Sequence, residues 1–261
     1  MAWQLARQAG QRLLSLRTSG EVAAEALRDA GDQLSHSYLM AELARLRPDD
    51  AVLSEEGADD PARLSSNRVW IVDPLDGTRE FGEPGRTDWA VHVALWADGD
   101  LAAGAVALPA EDRVLSTWRP EPTPRPPDPD RLRLLVSRSR PPAFVARLVT
   151  SLGAVEVPMG SAGAKVAAVI TGQADAYVHS GGQFEWDSAA PVAAARAAGL
   201  HASRIDGSAL RYNQANPYLP DILVCPVEVA PRLLSAIATA TITGDPVPKS
   251  FTATTAQGDQ F

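Results

Sequence analysis

Apolar side chains recur at nearly helical spacing over residues 1–17, which predicts an N-terminal helix. A second helix is predicted from about Asp32 to Leu46, and it ends before Pro48 because proline disfavours helix in the residue that precedes it. Short apolar runs then predict strands at 51–53, 69–72, 89–96 and 104–108, with a polar loop over 59–67. The first part of the chain is therefore predicted to be two helices followed by a sheet.

A proline-rich segment divides this pattern from the next one. Six of the twelve residues from Arg119 to Asp130 are proline, so the segment can join neither a helix interior nor a central strand. A stiff linker between two halves and a long surface loop of one domain both fit it. We take the halves as 1–124, an α+β unit, and 125–261, an α/β unit.

Strands and helices alternate after the proline-rich segment. The strands are predicted at 132–136, 155–157, 174–179 and 222–225, and the helices at 142–152, 162–171 and 187–198. Such alternation is typical of an α/β fold. The whole chain is accordingly predicted to have an α/β (α+β) fold.

Composition narrows the class of protein. Hydrophobic residues make up 45% and charged residues 21% of the 261 positions, as in an ordinary soluble globular protein. The net charge of −8 argues against a general nucleic-acid binder, which would carry a basic face. A single cysteine, Cys225, excludes an intramolecular disulfide. No signal peptide and no apolar run of about 18 residues is present, so we expect a cytoplasmic protein without a membrane partner.

The segment Asp73-Pro-Leu-Asp-Gly-Thr78 carries the first candidate chemistry. An apolar strand delivers Asp73, and Asp76 follows three residues later on a predicted turn. Two carboxylates at this spacing can converge on hard cations, which prefer oxygen ligands. Gly77 permits close approach of the backbone, and Thr78 begins a predicted helix, whose N-terminal amides would suit a phosphate. A simple turn capped by the aspartates is the alternative.

Further carboxylates stand at the ends or near the starts of other predicted elements. Glu55 and Glu56 follow a short strand, Asp187 begins a helix, and Asp32 stands near the start of another. Each alone fits a surface residue or a helix cap. Together they lie at strand ends and helix starts, where α/β proteins place ligand sites. The four histidines show no zinc spacing, and no nucleophile elbow or Walker loop is present.

Two segments carry a resemblance to a known family. Trp70-Ile-Val-Asp-Pro-Leu-Asp-Gly-Thr-Arg-Glu-Phe81 and Trp186-Asp-Ser-Ala-Ala-Pro191 resemble the paired signatures of the inositol monophosphatase superfamily. Arg79-Glu-Phe81 and Ser137-Arg-Ser139 are most similar to its CysQ-type branch, the 3′-phosphoadenosine 5′-phosphate phosphatases. The resemblance implies the five-layered αβαβα sandwich of the sugar phosphatases.

The resemblance also implies a role for each matching residue. Two to three Mg²⁺ ions are expected, the first held by Glu55, Asp73 and the Leu75 carbonyl and the second by Asp73, Asp76 and Asp187. Catalysis is expected to use Glu55 together with Thr78 and Asp32, which would orient and deprotonate the attacking water. The expected phosphate contacts are Asp76, Gly77 and Thr78. The expected substrate contacts are Arg79, Ser137, Arg138, Ser161, Lys165 and Asp187, with the choice between Ser161 and Lys165 left open.

The implied activity is hydrolysis of a small phosphate ester. In the leading interpretation, the enzyme releases the 3′-phosphate of adenosine 3′,5′-bisphosphate to give AMP, a reaction related to sulfate assimilation. An inositol monophosphatase or fructose-1,6-bisphosphatase-like enzyme is the alternative, and a non-enzymatic metal-binding protein on the same fold is a third. Arg138 is a candidate for the 5′-phosphate, since a guanidinium can bind phosphate bidentately. The alternative interpretation is that Arg138 is an ordinary surface residue. A homodimer is the expected form of assembly, if the protein assembles.

Overall fold

The computed structural model describes residues 1–128 and 130–242 of the chain. The predicted C-terminal half, 125–261, therefore includes positions 129 and 243–261, which lie outside the described residues. No helix in the described part of the chain is long and apolar enough to cross a membrane.

The first half of the chain forms two long helices and a five-stranded sheet. Helix α1 spans Ala2–Ser19 and α2 spans Leu27–Leu46, and the short helix α3, Thr78–Gly82, follows the second strand. The strands are β1 Ala51–Ser54, β2 Arg68–Asp76, β3 Ala90–Ala97, β4 Asp100–Leu108 and β5 Arg113–Ser116, in that spatial order. Only β1 and β2 are parallel, and the remaining neighbours are antiparallel.

The second half forms another five-stranded sheet, in the order β7-β6-β8-β10-β9. Its strands are β6 Arg133–Ser137, β7 Val155–Met159, β8 Ala176–Phe184, β9 His201–Ser203 and β10 Tyr218–Cys225. Its helices are α4 Val145–Leu152, α5 Ala162–Ile170, α6 Glu185–Ala197 and α7 Ala230–Ile242. Strands β7, β6 and β8 run parallel, whereas β10 is antiparallel to both of its neighbours.

Three hydrophobic clusters stack the elements into layers. On β2, Trp70 and Val72 pack with α1 and α2, while Val69 and Ile71 face the opposite way, as the alternation of a strand requires. Helices α5 and α6 lie between the two sheets and share one cluster with both. Helices α4 and α7 cover the far face of the second sheet. The order is α1/α2, first sheet, α5/α6, second sheet, α4/α7, so the predicted five-layered αβαβα sandwich is confirmed.

The middle layer is rich in alanine. On α5 and α6 the buried alanines are Ala162, Ala164, Ala167, Ala168, Ala189, Ala190, Ala193, Ala194 and Ala195. Helix α6 consequently approaches the first sheet closely. A Cβ atom at Gly104 of β4 would lie 2.5 Å from the Cβ of Ala193, too close for two non-bonded carbon atoms.

Several element boundaries differ from the sequence predictions. Helix α2 begins at Leu27, five residues before the predicted start, and no side chain caps it. Asp32 is therefore inside a helix and does not cap one. Pro74 does not end β2, because the pairing with β3 shifts register between Asp73 and Asp76. At this irregularity residue 74 needs no backbone amide to donate a hydrogen bond to β3, so a proline is tolerated.

Other elements were missed altogether. Strands β5 and β9, helix α7 and a 3₁₀ turn at Pro61–Ser65 within the predicted loop have no counterpart in the prediction. β5 and β9 are edge strands of three to four residues, too short to show a pattern. Cys225 is fully buried at the end of β10, and burial raises its pKa to about 12.

Candidate active site

The parallel pairing of β1 with β2 brings the first two carboxylates together. Ser54 of β1 lies opposite Val72 of β2, and the Glu55 amide donates to the Val72 carbonyl at 3.4 Å. The residues that follow, Glu55 and Asp73, are thus neighbours at the same end of the sheet. Asp73 is 1% exposed, whereas Glu55 stands at the open side of the site.

A bulge at the end of β2 turns Asp76 toward the same place. Residues three apart on a regular strand point to opposite faces, so Asp73 and Asp76 would normally diverge. The register shift between them lets both carboxylates face one site. Asp187, the third residue of α6, joins them, and its Oδ2 accepts a hydrogen bond from the Phe184 amide at 2.7 Å.

One oxygen from each of Asp73, Asp76 and Asp187 lies within 4.8 Å of the other two. Like charges this close disfavour ionisation. Burial, and then the nearby carboxylates, raise the pKa of Asp73 well above its usual value. Partial removal from water and the charge of Asp187 raise the pKa of Glu55 to about 7, and burial and Asp76 raise the pKa of Asp187 to about 7. A bound cation would relieve this repulsion, so the residues fit a metal ion.

Asp76 differs from the other carboxylates because donors surround its Oδ2 atom. Ser161 Oγ donates to it at 2.5 Å, the Gly163 amide donates at 2.7 Å, and His92 Nε2 lies 3.2 Å away. Burial alone would raise the pKa of Asp76, but His92, Lys165 and Ser161 lower it to about 2. Asp76 therefore stays ionised with one oxygen held by the protein, which leaves Oδ1 for a ligand.

His92 contacts the carboxylate cluster and was not predicted as a site residue from the sequence. It lies opposite Asp73 on β3, it is fully buried, and its Nδ1 is 3.1 Å from the Trp186 carbonyl of α6. Burial opposes protonation, but the charge and hydrogen bond of Asp76, together with the Trp186 carbonyl and the charge of Asp187, raise the pKa of His92. Histidine spacing gave no signal, since the contact joins residues distant in sequence.

Thr78 and Asp32 meet beside the carboxylate cluster. Thr78 begins α3, and its Oγ1 lies 2.9 Å from the Leu75 carbonyl and 3.3 Å from Asp32 Oδ1. Burial and the charge of Glu56 raise the pKa of Asp32 to about 7. A carboxylate with this pKa can accept a proton near neutral pH.

The clustered carboxylates, Thr78 and Ser161 line a single cavity of about 250 Å³, whereas Asp32 and His92 are not among its lining residues. The predicted residues in its wall are Glu55, Asp73, Leu75, Asp76, Gly77, Thr78, Arg79, Ser137, Arg138, Ser161, Lys165 and Asp187. The wall also contains residues that were not predicted, namely Glu80, Ser139, Arg140, Gly160, Ala162, Tyr177, His179, Gly182 and Gln183. Those on β8 could have been sought at the end of a parallel strand, where α/β proteins bind ligands.

Two predicted substrate contacts are engaged with the protein itself. Lys165 is 4% exposed, and its Nζ donates to the carbonyl groups of Met159, Gly160 and Ser161 at 3.3, 3.0 and 2.7 Å. Arg138 donates to Glu80 Oε1 at 2.6 Å and to Glu83 Oε1 at 2.8 Å, and the two carboxylates raise its pKa. Their predicted contacts with substrate stay predictions.

The layers and the carboxylate cluster together define an α/β protein of the sugar-phosphatase type. A model of the inositol monophosphatase family matches residues 1–241, and the chain belongs to this family. The predicted family and the predicted enzyme class, a phosphatase, are thereby confirmed.

Named relatives span nearly the whole chain. It is 53% identical over 245 residues to the 3′-phosphoadenosine 5′-phosphate phosphatase of Mycobacterium tuberculosis, covering 89% of this chain and 90% of the relative. It is 32% identical over 234 residues to the 3′(2′),5′-bisphosphate nucleotidase CysQ of Escherichia coli, with 83% and 94% covered. The crystal structure of CysQ from Bacteroides thetaiotaomicron superposes with a TM-score of 0.75 at 26% identity, covering 86% of this chain and 95% of that one.

Proposed function

We propose that the chain is a magnesium-dependent phosphatase that hydrolyses adenosine 3′,5′-bisphosphate to AMP and inorganic phosphate. The similarity to relatives named for this substrate, at 53% and 32% identity, supports the choice. The observation that carries the proposal is the cavity itself. It has a cluster of carboxylates at one end, suited to cations that attract a phosphate, and arginine side chains elsewhere in its wall, suited to a second phosphate.

The proposed ligands for Mg²⁺ are Glu55, Asp73, the Leu75 carbonyl, Asp76 and Asp187. All are oxygen donors, which is the ligand type that Mg²⁺ prefers. Bound magnesium supplies charge neutralisation of the phosphoryl oxygens and lowers the pKa of water, so no cysteine or histidine nucleophile is required. Ser161 and Lys165 are proposed to support this site by holding Asp76 and the turn at 159–161.

Asp32 and Thr78 are proposed to prepare the attacking water. Thr78 Oγ1 can accept a hydrogen bond from the water and pass a proton to Asp32, whose pKa near 7 suits a general base. The amides of Gly77 and Thr78, with Asp76 beside them, are proposed to orient the reacting phosphate. Phosphoryl transfer depends mostly on such positioning and on charge neutralisation.

The two halves, 1–124 and 125–261, are proposed to meet at this site, since Asp187 and Ser161 belong to the second and the other carboxylates to the first. We also propose that the protein works in the cytoplasm, a reducing compartment that suits its one free cysteine, Cys225. The homodimer stays a prediction.

Phosphate release from a small panel of substrates tests the proposal. The panel contains adenosine 3′,5′-bisphosphate, adenosine 3′-monophosphate, inositol 1-phosphate and fructose 1,6-bisphosphate, each with Mg²⁺ and after chelation. We expect the highest kcat/KM for adenosine 3′,5′-bisphosphate, loss of activity with chelator, and recovery with Mg²⁺ but poorly with Ca²⁺, whose longer bonds suit a looser geometry. A preference for inositol 1-phosphate or fructose 1,6-bisphosphate would favour the alternative, and undiminished turnover without metal would refute the mechanism.

A further inference from the structure

Four cationic side chains line the cavity, and only two of them are free. They are Arg79, Arg138, Arg140 and Lys165. The ammonium group of Lys165 is used by three backbone carbonyls, and the guanidinium of Arg138 is used by Glu80 and Glu83. Within the described part of the chain, Arg79 and Arg140 make no ion pair and no side-chain hydrogen bond.

The two free arginines occupy different walls. Arg79 directly follows Thr78, the residue beside the carboxylate cluster, so a phosphate that it meets is the reacting one. Arg140 lies beyond the end of β6, on the wall formed by the second sheet. An anion bound by Arg140 therefore belongs to a different part of the substrate.

The backbone around Arg140 holds its side chain at this wall. Its amide donates to Ser137 Oγ at 3.1 Å, which closes the turn after β6. Its Nη1 lies against Gly182 of β8, where a Cβ atom would be only 3.3 Å away, and Gly182 has a φ of 70°. The Gly182 amide is itself held by the Tyr218 hydroxyl at 3.3 Å. Glycine thus permits the guanidinium to rest on the backbone of β8.

We propose that Arg140, and not Arg138, binds the second, non-reacting phosphate of the substrate and so determines the preference for a bisphosphate. This assignment rests on the proposed function. An arginine with five unused donors can bind a phosphate bidentately without first breaking an ion pair, whereas Arg138 would have to leave two carboxylates. Binding energy from the remote phosphate can then be used to orient the reacting one.

Two adenosine esters that differ only in the remote phosphate test the assignment. Adenosine 3′,5′-bisphosphate and adenosine 3′-monophosphate share the base, the ribose and the scissile bond. In Arg140→Gln we expect kcat/KM for the bisphosphate to fall about ten- to a hundredfold, the range of a lost charge-assisted contact, with little change for the monophosphate. Arg140→Lys keeps the charge without the planar fork and should recover part of the loss.

Comparison variants separate this role from general effects. Arg79→Gln should lower kcat/KM for both esters, because both present a reacting phosphate. Arg211→Gln removes an exposed charge outside the cavity and should match wild type on both. Calorimetry supplies a readout without turnover: AMP should bind wild type more tightly than adenosine does, and Arg140→Gln should lose that difference.

Two other outcomes for Arg140→Gln would contradict the assignment of the remote phosphate to Arg140. A parallel loss on both esters in Arg140→Gln would make the residue structural, and unchanged kinetics on both would show that it does not touch the substrate. A wild type that prefers inositol 1-phosphate to either adenosine ester would instead refute the proposed function. That result concerns wild type alone and is therefore distinct from a failure of Arg140.

Discussion

The hydroxyl of Ser161, at the start of α5, donates to Oδ2 of Asp76, at the end of β2, over 2.5 Å. This bond ties a proposed metal ligand on the first sheet to a helix of the middle layer. Partners that hold a ligand in this way contribute to metal affinity, and their removal typically costs 10–100-fold.

Ser161→Ala is therefore expected to weaken the apparent affinity for Mg²⁺ by about tenfold. Saturating Mg²⁺ should restore most of the rate if Ser161 acts by holding Asp76, as proposed, and not by contacting substrate. Titration of activity with Mg²⁺ measures the effect, and Ser139→Ala, at the same cavity, is the control. A Mg²⁺ half-saturation equal to that of wild type would show that the bond does not support the ligand.

Asp73→Asn should reduce kcat/KM at least about a hundredfold, more than the loss of a supporting residue, because Asp73 is assigned to two ions. Glu56→Gln is the matched control, since Glu56 is exposed and next to Glu55. Metal-free Asp73→Asn should melt no lower than metal-free wild type, because a crowded, buried carboxyl is replaced by an uncharged amide. Equal activity losses in the two variants would mean that the ligands are assigned one position off.

The metal-free protein should become less stable as pH rises from about 5 to 8. Glu55 and Asp187 have pKa values of about 7 in the folded state, above the usual value of about 4 for an unfolded carboxyl. The folded state therefore binds more protons in this window, and stability falls with pH until both groups are ionised. The raised pKa of His92 acts in the same direction, while Asp76, with a pKa of about 2, changes nothing above pH 5.

Thermal unfolding with chelator at several pH values measures this trend. Addition of Mg²⁺ should raise Tm more at pH 8 than at pH 5.5, because the ligands are already deprotonated at the higher pH. A metal-free Tm that stays level or rises over this range would contradict the electrostatic account of the site.

Arg138→Gln should affect both adenosine esters alike, in contrast to Arg140→Gln. Arg138, directly after β6, binds Glu80 within α3 and Glu83 just after it, so its loss loosens the cavity wall for any substrate. Its Tm should be lower than that of wild type, and the difference should shrink in high salt, which screens ion pairs. A loss of kcat/KM confined to the bisphosphate would instead indicate that Arg138 binds the remote phosphate.

Much of the architecture could be predicted because its patterns are local. The apolar spacing of α1 and the apolar runs of β2 and β3 are visible in the sequence, and the structure has these elements within a few residues of the predicted bounds. The family resemblance assigns Asp73, Asp76 and Asp187 to one site, and their oxygens do converge.

The remaining features depend on contacts between distant parts of the chain. The start of α2 at Leu27 has no capping side chain to mark it, and Gly31-Asp32 resembles a cap although it lies inside the helix. The contact of His92 with Asp76 depends on sheet register, and the engagement of Arg138 by Glu80 and Glu83 depends on how the halves pack. No single stretch of sequence encodes either one.

The alanine-rich middle layer has a consequence for which metals the protein can accept. Asp187 is carried by α6, and the distance of that helix from β2 is limited by methyl groups such as that of Ala193, which touches β4 beside Gly104. Ala193 lies six residues from Asp187, about 9 Å along the helix. An extra methyl group there would shift α6 outward and widen the spacing of the carboxylates. The preference of the site for metal ions of a given radius would then change, although Ala193 contacts neither ion nor substrate.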